Sequence, residues 1–155
     1  MTSTVLLTGA TGSLGAQIAR RLLARGDLDL YVLVRSEDET SARARLRREW
    51  WDWEDLRDAA SARVRAVSGD VSKPRLGLSD TTYAELTARL THIIHAAADV
   101  RLFEPLESLR TVNALGTRHA LDLARAAHAD HGLERFTHVS TAYVAGRCDG
   151  LVTED

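Results

Sequence analysis

Cysteine is nearly absent from this chain of 155 residues, in which Cys148 is the only one. A single cysteine excludes an internal disulfide and is typical of a reducing compartment. Long apolar runs are lacking too, since Val5–Leu7 is far too short for a membrane span or a signal core. The preceding Met1–Thr4 has no basic residue of the kind that begins a signal peptide. We therefore expect a cytoplasmic protein that does not bind membranes.

An excess of positive charge is also absent, because the formal net charge is −2. Nothing in that balance favours a nucleic acid partner, and the arginines between positions 43 and 48 are flanked by acidic residues. The six histidines show no metal-ligand spacing with Cys148, so we expect no metal site. No G-x-S-x-G nucleophile motif occurs either. Trp50, Trp51 and Trp53 are predicted to pack a peripheral helix rather than to stack on a ligand.

What the chain does contain is a regular alternation of apolar strands and amphipathic helices within one domain, residues 1–155. The predicted strands are Val5–Leu7, Leu28–Val34, Arg63–Val67, a segment from Thr91 into Ala98, and Phe136–Ser140. This alternation indicates an α/β fold, a Rossmann-type doubly wound parallel sheet with helices on both faces. Right-handed crossovers favour the strand order 3-2-1-4-5, and ligands of such sheets bind beyond the carboxyl ends of the strands.

The most informative stretch is the glycine-rich segment after the first strand, Thr8-Gly9-Ala10-Thr11-Gly12-Ser13-Leu14-Gly15. It leads into a predicted helix in which Leu14, Ile18 and Leu22 are four residues apart and are expected to share the buried face. Glycines allow a sharp turn, a close approach of backbone to phosphate, and close packing of helix on sheet. The helix start offers unpaired N–H groups to a pyrophosphate. We therefore predict that Thr8, Gly9, Thr11, Gly12, Ser13, Leu14 and Gly15 bind a dinucleotide.

Two arginines are candidates for selecting the type of dinucleotide. Arg35 directly follows the second strand, where dinucleotide-binding domains place the residue that contacts the adenosine ribose. An acidic residue there would favour NAD(H), whereas arginine accommodates a 2′-phosphate and so favours NADP(H). Arg45, in the following helical segment, is a second candidate for the same phosphate. The alternative is that both arginines are solvated surface residues.

Further candidates follow the third and fourth strands. Asp70 and Val71 are placed to contact the adenine, although Asp70 could instead cap a turn. Ala96, Ala97 and Ala98 would let the backbone pass close to the ribose and nicotinamide.

The last two candidates lie further along the chain. Asn113 lies within a predicted helix and is expected to support the site by satisfying backbone groups at a neighbouring strand end. Thr141, with Ser140 at the predicted end of the fifth strand, could donate a hydrogen bond to a substrate carbonyl near the nicotinamide. The alternative for Thr141 is a hydroxyl that caps the next turn.

Together these residues resemble the extended short-chain dehydrogenase/reductase family. Within it, the chain is similar to the thioester reductases, the reductase domains of carboxylic acid reductases and nonribosomal peptide synthetases, which are akin to fatty acyl-CoA reductases. The glycine-rich segment is common to the superfamily. The segments that point to the thioester-reductase branch are residues 69–78 and 140–146.

The resemblance implies NADPH-dependent hydride transfer to an acyl thioester, carried in some relatives on a carrier protein, which yields an aldehyde or an alcohol. On this basis Thr141 corresponds to the catalytic Ser/Thr of the family, and Arg35 and Arg45 to its 2′-phosphate contacts. The family's Tyr-x-x-x-Lys pair does not occur before Asp155. Tyr143 is too close to Thr141 to replace that tyrosine. We expect a C-terminally truncated fold that holds the cofactor-binding part and lacks the substrate-binding lobe.

Two other functions remain open from the sequence. One is a nucleotide-sugar epimerase or dehydratase of the same superfamily, which would favour an acidic residue near the position of Arg35. The other is a non-catalytic NADP(H)-binding or sensing module, which the missing general acid favours. A truncated sheet would also expose its fifth strand, so we expect self-association through that edge.

Overall fold

The computed structural model describes residues 2–59, 63–101, 103–141 and 146–153. Within these residues, parallel strands form one sheet in the order β3-β2-β1-β4-β5. The strands are β1 (Ser3–Thr8), β2 (Leu28–Val34), β3 (Val64–Ser68), β4 (His92–His95) and β5 (Arg135–His138). The predicted strand order is therefore confirmed.

Helices connect the strands and cover both faces of the sheet. They are α1 (Ser13–Arg25), α2 (Glu39–Glu49), α3 (Glu54–Ala59), α4 (Asp80–Arg89), α5 (Leu106–Leu109) and α6 (Gly116–His131). Helix α4 is capped at its start, because the Ser79 hydroxyl accepts a hydrogen bond from the Thr82 amide at 3.1 Å. The helix predicted to contain Asn113 is divided, since a π-helical segment, Arg110–Leu115, joins α5 to α6 and includes Asn113.

Alternate residues of the central strands feed two hydrophobic cores. Leu7 and Val32 face the core beneath α1, α2 and α3, whereas Leu6 and Leu33 face the core beneath α4 and α6. The strands β1 and β2 are consequently buried on both sides and read as continuous apolar runs. This arrangement is the doubly wound architecture expected from the sequence.

The expected buried face of α1 is wrong in one respect. Gly15, Ala16, Ala19 and Leu23 are the buried residues of the helix, whereas Leu14 is 56% exposed. Small residues face the sheet because the helix starts directly over the glycine-rich loop, where a larger side chain would not fit. The buried face is therefore shifted by one residue from the face that the leucine spacing indicates. Ile18 and Leu22 lie at its border and are only partly buried.

The prediction that the tryptophans are peripheral is wrong for Trp50. Its side chain is 1% exposed, packs in the core beneath α1, and donates its indole N–H to the Ala10 carbonyl at 3.0 Å. Trp51 is 67% exposed, and Trp53 lies beneath the Arg20 guanidinium. Trp50 is the residue that follows α2, and the end of that helix directs it inward.

The fifth strand is shorter than predicted. It ends at His138, so Ser140 and Thr141 lie beyond the strand rather than at its last position. Tyr143, considered from the sequence, lies outside the described residues. In the part of the chain that the structure describes, no helix is both long and apolar enough to cross a membrane.

Candidate cofactor-binding site

A cleft of about 310 Å³ lies at the carboxyl ends of the strands. It is at the point where the strand order reverses, because β1 lies between β2 and β4. The cleft is lined by Thr8, Gly9, Thr11, Gly12, Leu33, Arg35, Arg45, Gly69, Asp70, Val71, Ala96, Ala97, Ala98 and Val112. Most of the residues predicted from the sequence to bind a cofactor are therefore brought together.

The three glycines of the loop are held by different constraints. Gly9 has a φ of +78°, and a Cβ atom there would lie 2.6 Å from the Ala96 carbonyl carbon. A Cβ atom on Gly15 would lie 2.1 Å from the Gly9 carbonyl oxygen, so only glycine lets α1 approach the loop. Gly12 has an ordinary φ of −89°, and a Cβ atom there would keep a van der Waals distance of 3.4 Å. The fold therefore requires glycine at positions 9 and 15 but not at position 12.

The start of α1 is suited to an anion. Gly12 is its N-cap and provides no side-chain acceptor, and the first turn contains no acidic residue. Free N–H groups and the positive end of the helix dipole consequently border the cleft at Gly12. Ser13 and Leu14 are exposed at this helix start, and neither they nor the buried Gly15 line the cleft.

Arg35 and Arg45 lie together on one side of the cleft. Arg35 is exposed immediately after β2, and Arg45 donates from Nη1 to the Arg35 carbonyl at 2.8 Å. The Nε atom of Arg45 is buried without a hydrogen-bond partner in the described structure. The side chains of Arg35 and Arg45 both line the cleft, so their guanidinium groups are donors for an anionic ligand there. The two arginines thus form a cationic pocket next to the end of β2.

Asp70 is held in a tight turn after β3. One carboxylate oxygen accepts from the Ser72 amide at 2.9 Å and from the Ser72 hydroxyl at 2.7 Å. The Asp70 amide donates to the Leu76 carbonyl at 2.7 Å, which fixes the following loop. Burial by itself would raise the pKa of Asp70, but the hydrogen bonds from Ser72 and the charge of Arg35 hold that pKa below its usual value. Asp70 therefore caps a turn and also presents a carboxylate to the cleft.

The small residues after β4 are positioned by a buried polar network. The Thr8 hydroxyl accepts from the Ala97 amide at 3.1 Å and lies 2.8 Å from His95 Nδ1. The second ring nitrogen of His95 lies 3.3 Å from the Thr117 hydroxyl. Burial lowers the pKa of His95 to about 4, with a further contribution from His138, so the ring is neutral near pH 7. This network could not be predicted from the sequence, because the partners come from three separate elements.

Asn113 binds backbone rather than the cleft. Its carbonyl oxygen accepts from the Asp99 amide at 2.7 Å, and its amide nitrogen donates to the Asp99 carbonyl at 2.9 Å. The side chain of Asn113 thereby satisfies the backbone N–H and C=O groups of Asp99, in the loop that follows β4. The contacts are those expected of a supporting residue, and Asn113 is not among the residues that line the cleft.

Thr141 is not brought to the cleft. Among the described residues it is exposed, follows the end of β5 and does not line the cavity. Conversely, the prediction omitted Leu33, Gly69 and Val112, which do line it. Gly69 carried a usable signal, since it follows β3 directly and a Cβ atom there would lie 2.6 Å from Leu33 Cδ1. As for metals, the described residues hold no cluster of three or more His, Cys, Asp or Glu side chains that could bind an ion.

A parallel sheet with a glycine-rich loop at its switch point defines a Rossmann-type dinucleotide-binding domain. A family model described as "Male sterility protein" matches residues 7–155, and the chain belongs to this family of NAD-binding domains. It represents the N-terminal part of the thioester-reductase branch of extended short-chain dehydrogenases/reductases. The resemblance inferred from the sequence is thereby confirmed.

Individual relatives agree with this assignment. The chain is 41% identical over 143 residues to the L-2-aminoadipate reductase large subunit of Penicillium chrysogenum, covering 89% of this chain and 10% of that protein. The terminal R domain of the myxalamid PKS-NRPS pathway is 37% identical with a TM-score of 0.76, covering 90% of this chain and 35% of that one. The reductase (R) domain of a non-ribosomal peptide synthetase from Mycobacterium tuberculosis is 34% identical with a TM-score of 0.79, covering 95% of this chain and 35% of that one.

The chain is much shorter than these relatives. It spans about a tenth of the aminoadipate reductase subunit and about a third of the two solved reductase domains. The part they share with it contains the sheet and the cleft described above.

Proposed function

We propose that this chain binds NADP(H) in the cleft and is the cofactor-binding part of a reductase that acts on an acyl thioester attached to a carrier protein. The relatives support the reductase class, and two are reductase domains of peptide synthetases. The geometry of the cleft supports the dinucleotide. The choice of NADP(H) depends on the two arginines.

Gly12 is the observation that carries the proposal. The fold leaves room for a side chain at this position, yet none is present where the loop and the helix start border the cleft. Glycine suits the N-cap of a helix, and here its bare backbone also leaves the cleft open to a ligand that contacts the backbone at this point. A pyrophosphate at the start of α1 meets this description.

Arg35 and Arg45 favour NADP(H) over NAD(H). A 2′-phosphate on the adenosine ribose would accept from the guanidinium groups of both arginines, which line the cleft. Asp70 and Val71, across the cleft, would face the adenine. NAD(H) lacks the phosphate and would leave the guanidinium groups of Arg35 and Arg45 without that acceptor.

Bound NADPH supplies a hydride for reduction of the thioester carbonyl. The chain's own contribution would be to hold the nucleotide and to leave room for the nicotinamide beside the three small alanines after β4, which line the cleft. We extend the proposal to Thr141, whose hydroxyl would donate a hydrogen bond to the substrate carbonyl. The 155 residues contain no Tyr-x-x-x-Lys pair, so the activity proposed for the chain itself is cofactor binding.

Equilibrium titration with NADPH and NADH tests the proposal. Arg35→Ala should weaken NADPH binding by about 1–3 kcal/mol, because a charge-assisted contact to the 2′-phosphate is lost. Binding of NADH should change little. The measurement is isothermal calorimetry or nucleotide fluorescence on the parent and the variant.

Arg43→Ala is the control, since Arg43 is an exposed arginine on α2, the helix that carries Arg45, and pairs with Glu39 rather than lining the cleft. It should leave both affinities unchanged. Tighter binding of NADH than NADPH by the parent, or equal weakening of both by Arg35→Ala, would contradict the assignment of Arg35.

A further inference from the structure

Trp50 connects the end of α2 to the centre of the glycine-rich loop. Its indole nitrogen donates to the Ala10 carbonyl at 3.0 Å, and the two residues are 1% and 0% exposed. Ala10 lies between Gly9, which turns the chain, and Gly12, which begins the helix. The hydrogen bond therefore acts on the peptide group in the middle of the predicted pyrophosphate loop.

The loop has a second internal restraint on its other side. The Gly12 amide donates to the Gly9 carbonyl at 3.0 Å, and α1 presses on that same carbonyl at Gly15. These contacts close the loop upon itself but do not attach the Ala10 peptide to the rest of the protein. Trp50 supplies that attachment from a residue forty positions later in the sequence.

Helix α2 also contacts the opposite end of the cleft. Arg45, on α2, donates to the Arg35 carbonyl at 2.8 Å, and Trp50 directly follows the helix. Leu46 and Ala42 anchor α2 in the same core as Trp50. One rigid element therefore reaches both the loop and the cationic pocket.

We propose that Trp50 is a positioning residue, whose indole N–H fixes the Ala10 peptide so that the loop is preformed for the pyrophosphate. This inference rests on the proposed NADP(H) function. A preformed loop does not need to be ordered when the ligand binds, which favours affinity. Phenylalanine at this position keeps most of the packing and removes the donor, leaving the buried Ala10 carbonyl without this partner.

The test compares two ligands on Trp50→Phe. NADPH, which contains the pyrophosphate, should bind about five- to tenfold more weakly than to the parent, the loss expected for one buried hydrogen bond. Adenosine 2′-monophosphate, which carries only the phosphate destined for the arginines, should bind within about twofold of the parent affinity. A merely structural role would weaken both probes alike, and that result would overturn the proposal. Trp51→Phe, an exposed neighbour, is the control and should change neither.

Two measurements keep the inference testable if Trp50→Phe does not fold. Replacing Trp50 by benzothienylalanine, which has sulfur in place of the indole N–H, preserves the shape and should reproduce the selective loss of NADPH affinity. Scalar coupling across the hydrogen bond, between the Trp50 indole nitrogen and the Ala10 carbonyl carbon, should be detected by NMR in the parent without ligand. Absence of that coupling, or unchanged NADPH affinity in the analogue, would overturn this proposal alone. Failure of the parent to bind NADPH would overturn the proposed function as well.

Discussion

The two halves of the sheet are built differently. Strands β1 and β2, which precede the glycine-rich loop and the arginines, are buried along nearly their whole length. Strand β5, on the side of Thr141, exposes Arg135, Thr137 and His138 and inserts only Phe136 toward a core. The nucleotide side of the cleft is therefore determined by packing within the described residues, and the side near Thr141 much less so.

Because of this difference, the geometry of the cleft supports a function for its nucleotide side more strongly than for the side near Thr141. On the nucleotide side, each turn has an identified restraint: Gly15 against Gly9, Trp50 to Ala10, and Ser72 to Asp70. Ligand binding there can be argued from geometry. The role of Thr141 is argued from resemblance to a family. The comparison predicts that changes on the two sides will have unequal effects on folding and binding.

The largest effect is expected for Gly15→Val. Its side chain would begin 2.1 Å from the Gly9 carbonyl oxygen, so either the loop or α1 must move. We expect a loss of about 3 kcal/mol or more in the free energy of unfolding, measured by urea denaturation. The reason is that a backbone carbonyl cannot move aside as the end of a flexible side chain can.

Gly12→Val provides the matched comparison within the same loop. A Cβ atom there meets nothing closer than 3.4 Å, and the backbone is in a region open to valine. The free energy of unfolding should fall by no more than about 1 kcal/mol, the cost of a poorer N-cap. NADPH affinity should nevertheless fall by at least about tenfold, because valine blocks the backbone from the pyrophosphate. Parent-like NADPH binding by this variant would refute the role of the loop.

Much of the nucleotide side could be predicted because its signals are local in the sequence. Strand β2 has the predicted bounds Leu28–Val34, since a strand buried on both faces is a continuous apolar run. The strand order followed from alternation and right-handed crossovers. Arg35, Asp70 and the three alanines were found because each lies within the first few residues after a strand, and parallel strands end at the same edge.

Contacts between distant segments could not be predicted in this way. A periodic pattern indicates on which face of an element Trp50 or His95 lies. It does not indicate which atom the ring nitrogen of either residue will contact. Trp50 meets Ala10, and His95 meets Thr8 and Thr117, only after the elements pack. The exposure of Leu14 has the same origin, because the close approach of α1 to the loop decides which face is buried.

The next prediction concerns His95, which joins the two halves of the sheet through its contacts with Thr8 and Thr117. Burial lowers its pKa to about 4 in the folded protein, against about 6.5 in an unfolded chain. The unfolded state therefore binds a proton first as the pH falls. Stability from this group is complete above about pH 6.5 and is lost between about pH 6.5 and 4, by about 3 kcal/mol in total. Urea denaturation at a series of pH values measures this slope.

His95→Asn should flatten the slope over this pH range, since asparagine does not titrate. His92→Asn, on the same strand but only half-buried beside Glu134, should retain it. A slope unchanged by His95→Asn would show that other groups are responsible for the pH dependence.

The smallest effect is expected at the exposed edge of β5. The amides of Arg135 and Val139 donate to carbonyls of Thr91 and His95, so by strand alternation the His138 amide points away from the sheet. Within the described residues, this edge presents outward-pointing amides that can pair with a second copy, and we expect weak self-association of the chain, seen by light scattering at increasing concentration. His138→Pro removes the outward amide and should weaken association by about threefold or more, whereas His138→Ala removes the same ring, keeps the amide and should not. Monomeric scattering by the parent at all concentrations would contradict this prediction and would mean that the charges and twist of β5 already prevent edge pairing.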